Sequence, residues 1–430
     1  MALKLPRAVA CTGTLFVCLL LSPCVLRAQA PARTAPTRLR VFIDCMYECD
    51  TEYLRQNIDF IDYVRDREAS DVHVLVTTQG TGGGGTSWTM KFIGLAYFQD
   101  HDHTLAFTTS QNASDDDRRK EFARVFKVGL VSYAAETSAA PNLEVSVKRI
   151  EASAEESRRP TNDRWDFWVF RLGAGGNMNG ERSSNNRSYR LNFSASRVTD
   201  EWKINVSVFS NTNRSTFNIT DDNTVNSNSN SWNLNSMIVK SLGPKWSYGA
   251  RSSLNHSSFS NIDRSLNAAP AIEFDFFPYS ESTRRSLTVQ YSIGATTYEY
   301  RELTIFDKLS ETVPNHSLNT SIGIRAPWGS LGGSANISQH LNHMDRYRIS
   351  LYGNTDIRLF KGFSFNIYSQ YDKIGDQIGL PKADATTEEV LLRLQQRATG
   401  YSYYLNFGFN YSFGSIFNST VNPRFGGGCC

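Results

Sequence analysis

The chain has 430 residues, 40% apolar and 20% charged, with 26 Phe, 19 Tyr and 29 Gly. That is too polar for one large dry core, and Ser, Asn and Thr fill the gap, which suits a lipid-facing band around a wet interior. Three of the 45 basic residues, Lys4, Arg7 and Arg27, fall in an N-terminal leader; without them the basic set equals the 42 acidic residues, so no nucleic acid or other polyanion is an expected partner.

In chain order, residues 1–30 read as a signal peptide. Lys4 and Arg7 precede an apolar run near Thr14–Leu21, and Ala28-Gln29-Ala30 has the small-x-small form that signal peptidase accepts. Leu21-Ser22-Pro23-Cys24 departs from a lipoprotein cleavage box by its proline. Nothing else approaches the ~18 consecutive apolar residues of a membrane helix, so integral membrane character has to come from strands.

Residues 38–150 read as a small α/β domain. LRVFID (Leu39–Asp44) predicts a strand, and Asp50 caps a helix whose apolar face takes in Leu54, Ile58, Ile61 and Val64. DVHVLVTT (Asp71–Thr78) is a second strand. The glycine-rich run Gln79–Thr86 lacks the Lys-Ser/Thr ending of a nucleotide loop and joins two strands, so it reads as a flexible hairpin tip. SWTMKFIGLAYF and TLAFTTS form a hairpin. A helix opening on Asp115–Asp117 then presents Phe122, Val125, Val128, Gly129 and Tyr133, and LEVSVKRI closes the unit as a strand. Asp100, His101, Asp102 and His103 cluster at a turn, where a solvated loop is the commoner outcome than a zinc site. Of seven cysteines, Cys45 and Cys49 alone lie in folded sequence and are the disulfide candidate; no second ligand pair accompanies them, and no metal or cofactor is expected.

Residues 151–163 read as a polar linker, and residues 164–414 as an all-β transmembrane barrel of about 12 antiparallel strands. The last strand shows the pattern: Tyr401, Tyr403, Leu405, Phe407, Phe409, Tyr411 and Phe413 share one face, with Ser402, Tyr404, Asn406, Gly408, Asn410 and Ser412 on the other. Strands are expected near 165–178, 186–198, 201–213, 229–242, 244–260, 264–278, 283–298, 315–328, 330–341, 345–360, 362–375 and 400–413. The connections VTDE, GP, PYSES, WGS and KG are short. They alternate with the longer polar runs Asn211–Asn230, Glu299–Asn315 and Asp376–Gly400, as short periplasmic turns alternate with outer loops in bacterial barrels. This places the α/β domain in the periplasm. Trp165, Trp168, Trp202, Trp246, Trp328, Tyr279 and Phe360 fall near the periplasmic strand ends as an aromatic girdle. Pro270 is a misfit inside the sixth barrel strand, tolerable at a bulge.

The polar phase sends Arg171, Arg190, Lys203, Arg325, Arg348, Arg358, Glu273, Asp275, Asp356 and Asp372 into the lumen, where mixed charge either lines a pore or fills a narrow interior. A membrane-embedded lipid hydrolase would need a serine within reach of a histidine; His256, His316, His340 and His343 lie near loop ends with Ser257, Ser258 and Ser338 close in sequence.

VFIDC…DTEYLRQNIDFIDYVRDREASDVHVLVTTQGTGGGGT, the PYSESTRR turn and NYSFGSIFNSTVNPRF together resemble a family of bacterial outer-membrane proteins without an assigned activity, each with a periplasmic α/β domain followed by a barrel. The resemblance runs from about Arg38 to Phe425, and the barrel is more distantly similar to the salt-induced outer-membrane protein group. It implies architecture and no activity. The GGGCC ending, within a C-terminal tail at 415–430, departs from that pattern. The expected role is structural, interaction or envelope homeostasis in a Gram-negative outer membrane, without catalysis; the alternatives are a small-solute channel and a lipid hydrolase. Expected partners are outer-membrane lipids, the barrel-assembly machinery, which reads an aromatic strand end, and a periplasmic protein bound through residues 38–150.

Overall fold

The computed structural model describes residues 35–45, 49–146, 163–220, 223–383 and 396–417, with 419, 420, 422 and 424. The expected signal peptide, nearly all of the linker, the second half of LEVSVKRI and the GGGCC ending lie outside these residues.

Near the N-terminus a mixed sheet runs in the order β2-β1-β3-β4-β5, from β1 (Leu39–Asp44), β2 (Ile61–Tyr63), β3 (Val72–Gly80), β4 (Thr86–Gly94) and β5 (His103–Thr109). β1 is parallel to both β2 and β3, and the other pairs are antiparallel. Alternate residues of β1, β3 and β4 (Val41, Val72, Val74, Met90 and Phe92) are wholly buried against Phe126, Leu130 and Tyr133 of α2 (Asp115–Ala134). That helix starts cleanly because Ser114 and Asp117 form a reciprocal capping box, and its first-turn acids meet the positive end of the helix dipole. Val128 points away from this core, 53% exposed, because it falls off the stripe set by Phe122, Phe126 and Leu130.

The first helix, α1 (Thr51–Asn57), is capped by Asp50 as the sequence suggests but ends seven residues before Val64, the last residue of its expected apolar face. Ile61 instead enters β2, whose pairing with β1 buries it as well as a helix would. Leu143–Ser146 form no strand.

The second sheet holds twelve antiparallel strands, each paired with its neighbour in sequence from β6 to β17. They are β6 (Trp168–Gly180), β7 (Ser184–Val198), β8 (Trp202–Thr220), β9 (Asn223–Ser241), β10 (Trp246–Ser257) and β11 (Ile262–Asp275). The series continues with β12 (Arg285–Tyr300), β13 (Ser310–Ala326), β14 (Gly329–His340), β15 (Tyr347–Phe360), β16 (Phe363–Ile374) and β17 (Tyr401–Tyr411). All twelve expected strands are present. The run Asn211–Asn230, expected as a loop, is instead the paired outer part of the β8–β9 hairpin, and β13 begins at Ser310. Both stretches carry polar residues on both faces, so no apolar alternation marks them, yet backbone pairing is indifferent to side-chain polarity.

Tyr291, Leu318 and Ile337 stand side by side across β12–β14 and are all exposed, as is the whole aromatic face of β17. On the opposite face one cross-strand row reads Ser247, Glu273, Gln290, Asn319, Asn336, Ser350, Asp372, Ser402 from β10 to β17. One face is therefore apolar and the other a continuous polar row, the two-sided character of a membrane barrel. The two edges of this sheet come round to the same small N-terminal domain: Arg171 of β6 donates to Gln111, and Arg65 donates to Phe413 O beyond β17. Among the described residues, no helix is long and apolar enough to cross a membrane.

Pro270 pairs opposite Ala250 of β10, and on its β12 side the ladder skips from Ala268 to Ala271. The missing donor thus falls in a break of the ladder, where Gly294 lets the backbones approach: a Cβ there would lie 2.2 Å from Ala268 O.

Candidate functional site

The domain meets the barrel at the end carrying the short turns, and a partly buried ion pair lies in the contact. Asp44 ends β1 at 7% exposure and takes both guanidinium arms of Arg358, Nη1 to Oδ2 and Nη2 to Oδ1, each at 2.6 Å. This is the bidentate fork that makes Arg–carboxylate pairs strong and directional. His73 on β3 is fully buried behind it, Nε2 3.3 Å from Asp44 Oδ2, and Phe42 lies beneath the Arg358 guanidinium at 5.3 Å. Burial alone would raise the Asp44 carboxyl, but hydrogen bonds from His73 and Arg358, with the guanidinium charge, hold it below the usual carboxylate range. For His73 burial wins and depresses its protonation, aided by the Arg67 and Arg358 charges, although Asp44 pulls the other way. The result is an anion clasped by a cation, with a neutral imidazole behind.

Weaker contacts surround this clasp. The glycine-rich tip of the β3–β4 hairpin rests on β6 and β7: a Cβ on Gly82 would fall 2.8 Å from Val198 Cβ, and one on Gly84, whose φ is +82°, would meet the Arg171 guanidinium. The tip is thus seated on the chain's own barrel. On the far edge of the domain sheet, the segment after β17 lies along β2. Arg65 N–H donates to Ile416 O at 2.9 Å, Tyr63 N–H to Ser419 Oγ at 2.9 Å, and Val64 bridges Phe417. Between domain and barrel remains a cavity of about 540 Å³, lined by Asp44, Thr78 and Gln79 on one side and by Arg284, Arg325 and Arg358 among others on the other.

The opposite mouth is crossed by a strap. Residues 376–383, after β16, pair with the β12–β13 connection through Ile305 N–H to Leu380 O (2.9 Å) and Lys382 N–H to Leu303 O (2.8 Å). Asn261, in the β10–β11 turn, donates from Nδ2 to both Glu302 O and Gly379 O at 3.0 Å, tying three connections together. β10 and β16 stand six places apart in the strand order, so the strap spans the opening. Arg348 anchors its root on Asp376 at 2.8 Å.

The other sequence-singled residues disperse. Glu273 and Asp372 sit in the polar row, where Gln290 donates to Glu273 (2.9 Å) and Ser350 to Asp372 (2.6 Å). Asp275 does not line the lumen: 1% exposed, it accepts from the backbone N–H groups of Phe277 and Leu287 and pins the β11–β12 turn. Tyr279 leaves the girdle and turns inward, its hydroxyl 3.3 Å from both Ser247 Oγ and Glu273 Oε1. His256 and His316 follow the outward phase; their ring nitrogens meet Asp263 O and Asn230 Oδ1, and Tyr291 Oη and Gln339 Oε1, not a serine hydroxyl. In the Asp100–His103 turn, Asp102 accepts from Gly94 N–H at 3.0 Å, His101 faces Glu136 at 3.4 Å, and His103 stacks on Phe92. Among the described residues no three His, Cys, Asp or Glu side chains converge on a metal position. Cys45 and Cys49 are joined as a disulfide, Cα atoms 6.1 Å apart, in the β1–α1 connection directly after Asp44.

The clasp itself was missed from sequence, because 314 residues separate its partners. The one signal for it is an aspartate that follows the apolar run Val41–Ile43 at the end of a strand.

No protein-family model matches the chain, and no curated protein matches it. Among solved structures it is similar to the NanC porin, at 10% identity over 57% of this chain and 100% of that one, TM-score 0.27. It is also similar to the translocator domain of the autotransporter NalP from Neisseria meningitidis, at 12% identity over 57% of this chain and 87% of that one, TM-score 0.22. The third is CdiB from Acinetobacter baumannii, at 8% identity over 87% of this chain and 74% of that one, TM-score 0.27.

Proposed function

We propose that this chain is an outer-membrane β-barrel protein whose N-terminal domain stands in the periplasm and covers the barrel mouth, serving a structural, interaction or envelope-homeostasis role without catalysis. The Asp44–Arg358 clasp carries this reading, since a bidentate pair at 2.6 Å, with its carboxylate buried, holds the domain in one orientation on the barrel. The domain sits at the short-turn end, and short turns are the periplasmic ends of bacterial barrels. The sequence resemblance implies the same arrangement. The outward aromatic face of β17 suits outer-membrane lipids and the barrel-assembly machinery as partners, and the domain surface away from the barrel suits a periplasmic protein.

The orientation is tested by protease added to intact cells, with heat-modifiable gel mobility of the outer-membrane fraction as the folding control. A folded, shifted band with the domain uncut until the membrane is permeabilised supports the reading; cleavage on intact cells would reverse it. A second reading, a small-solute channel, is favoured by the continuous polar row from Ser247 to Ser402. With domain and strap covering the two mouths, conduction requires one of them to move. Planar-bilayer steps from the parent, or from a variant lacking the clasp, would support it, and silence from both at several salt concentrations would end it.

A further inference from the structure

The chamber between domain and barrel holds charges that docking does not use. Arg284 ends the β11–β12 turn, and Arg325 lies directly across the β12–β13 ladder, its N–H donating to Arg284 O at 2.7 Å, one step beyond the Arg285–Ile324 pair. Both belong to the lumen phase of their strands and line the cavity of about 540 Å³. Like charges opposed across an antiparallel pair repel one another. Neither is well answered here. The nearest carboxylate to Arg284, Glu281 Oε2, is 3.8 Å away and is already bound by Arg285 at 2.5 Å, while Arg325 forms no ion pair among the described residues.

A second observation points the same way. The cross-strand row continues from Arg325 to Ser330, Asp356 and Asn366. Ser330 Oγ is buried without a hydrogen-bond partner, as is Asn366 Oδ1. The Ser330 hydroxyl has given up water without gaining a partner, which costs free energy, while the Arg284 and Arg325 side chains stay exposed and able to donate to a solute. The remaining carboxylates do not neutralise the two arginines: Asp44 is taken by Arg358, and Asp356, which lines the same cavity across the ladder from Ser330, forms no ion pair among the described residues.

We propose that this chamber is a binding site for a small phosphate-bearing anion, held by the Arg284 and Arg325 guanidinium forks and the Ser330 hydroxyl. Planar guanidinium donors match phosphate oxygens two at a time, and the volume falls in the range of small-molecule sites. Because the arginines face the lumen under a roof of Thr78 and Gln79, a free phosphorylated solute fits better than a lipid headgroup, whose acyl chains would have to pass the barrel wall.

The test is isothermal titration calorimetry on the full chain in detergent micelles at near-neutral pH and low salt, with inorganic phosphate and pyrophosphate as one arm and monomeric short-chain phosphatidylglycerol as the other. Heat-modifiable mobility confirms that each variant is folded. Arg325→Gln and Arg284→Gln are each expected to weaken phosphate binding about tenfold or more, the worth of a charge-assisted hydrogen bond. Asp356→Asn should tighten it, and Arg187→Gln, on β7 away from the chamber, should leave it unchanged. Lipid binding alone through the same two arginines would keep the chemistry and assign the source to headgroups. No binding by the folded parent, or equal binding by all variants, would overturn the proposal.

Discussion

Replacing Arg358 by methionine keeps a similar stem on β15 but strands the Asp44 carboxylate, 7% exposed, with only His73 beside it. Breaking a fully buried pair on one side typically costs about 3–5 kcal/mol, and the Arg358 side chain, 32% exposed, puts this pair at the lower end of that range. The carboxylate can also escape by taking a proton, and at pH 7 protonating a group with an ordinary value of ~3.9 costs about 4 kcal/mol, which caps the penalty. The docked state should therefore lose roughly two to three powers of ten relative to the undocked one. Hydrogen exchange of peptides spanning β1 and β3 reads this opening, with gel mobility as the control that the barrel has formed. Asp44→Asn and the double variant complete a cycle, and coupling above about 1.5 kcal/mol is expected for partners in direct contact. Unchanged exchange in β1, or effects that add to within ~0.5 kcal/mol, would refute the clasp as the element holding the domain.

The same contact should loosen in acid. His73 is held below its ordinary value, so the open state binds the proton first; the stability it contributes is full above about pH 6.5 and declines as pH falls below that. Asp44, also lowered, adds a further loss only as pH falls below the ordinary carboxylate range. His73→Phe should flatten the first slope, and an unaltered slope as pH falls below about 6.5 would count against it. Gly129→Ala gains about 1 kcal/mol of helix propensity but would set a Cβ 2.0 Å from Phe92 Cζ in the core, so a net loss of roughly 1–2 kcal/mol in the domain's thermal unfolding is expected. Removing residues 415–430 should raise amide exchange at Tyr63 and Arg65 several-fold, since their donors meet Ser419 and Ile416; equal protection would mean that the tail does not cover β2. Asn261→Ala removes the side chain linking Glu302 O and Gly379 O, and faster protease cutting within residues 376–383 of the micellar protein is expected.

The barrel was legible because each strand carries its own period of two, and pairing between sequence neighbours needs no long-range information. Where that period fades, as in Asn211–Asn230, the reading stopped short of the hairpin. Asp275 and Tyr279 show the limit of phase arguments: both lie where a lumen or girdle residue belongs by counting, yet one pins a turn and the other reaches inward. In the N-terminal domain, strands β1, β3 and β4 and helix α2 followed from pattern and caps, while Ile61 could serve a helix face or a strand edge equally well. The contact between the halves was not legible at all. Asp44 with Arg358, Arg65 with Ile416 and Gln111 with Arg171 join residues that local patterning cannot relate.

The segment lying along β2 also imposes an order on how the molecule is made. An unpaired strand edge is a site for wrong partners. Here the edge belongs to an early part of the chain, while the residues that cover it, Ile416, Phe417 and Ser419, follow β17. The early domain can build its core on leaving the ribosome, but one side of its sheet stays unfinished until β17 has been delivered to its place. A chain that stops short of its last strand therefore leaves the β2 edge open to wrong partners.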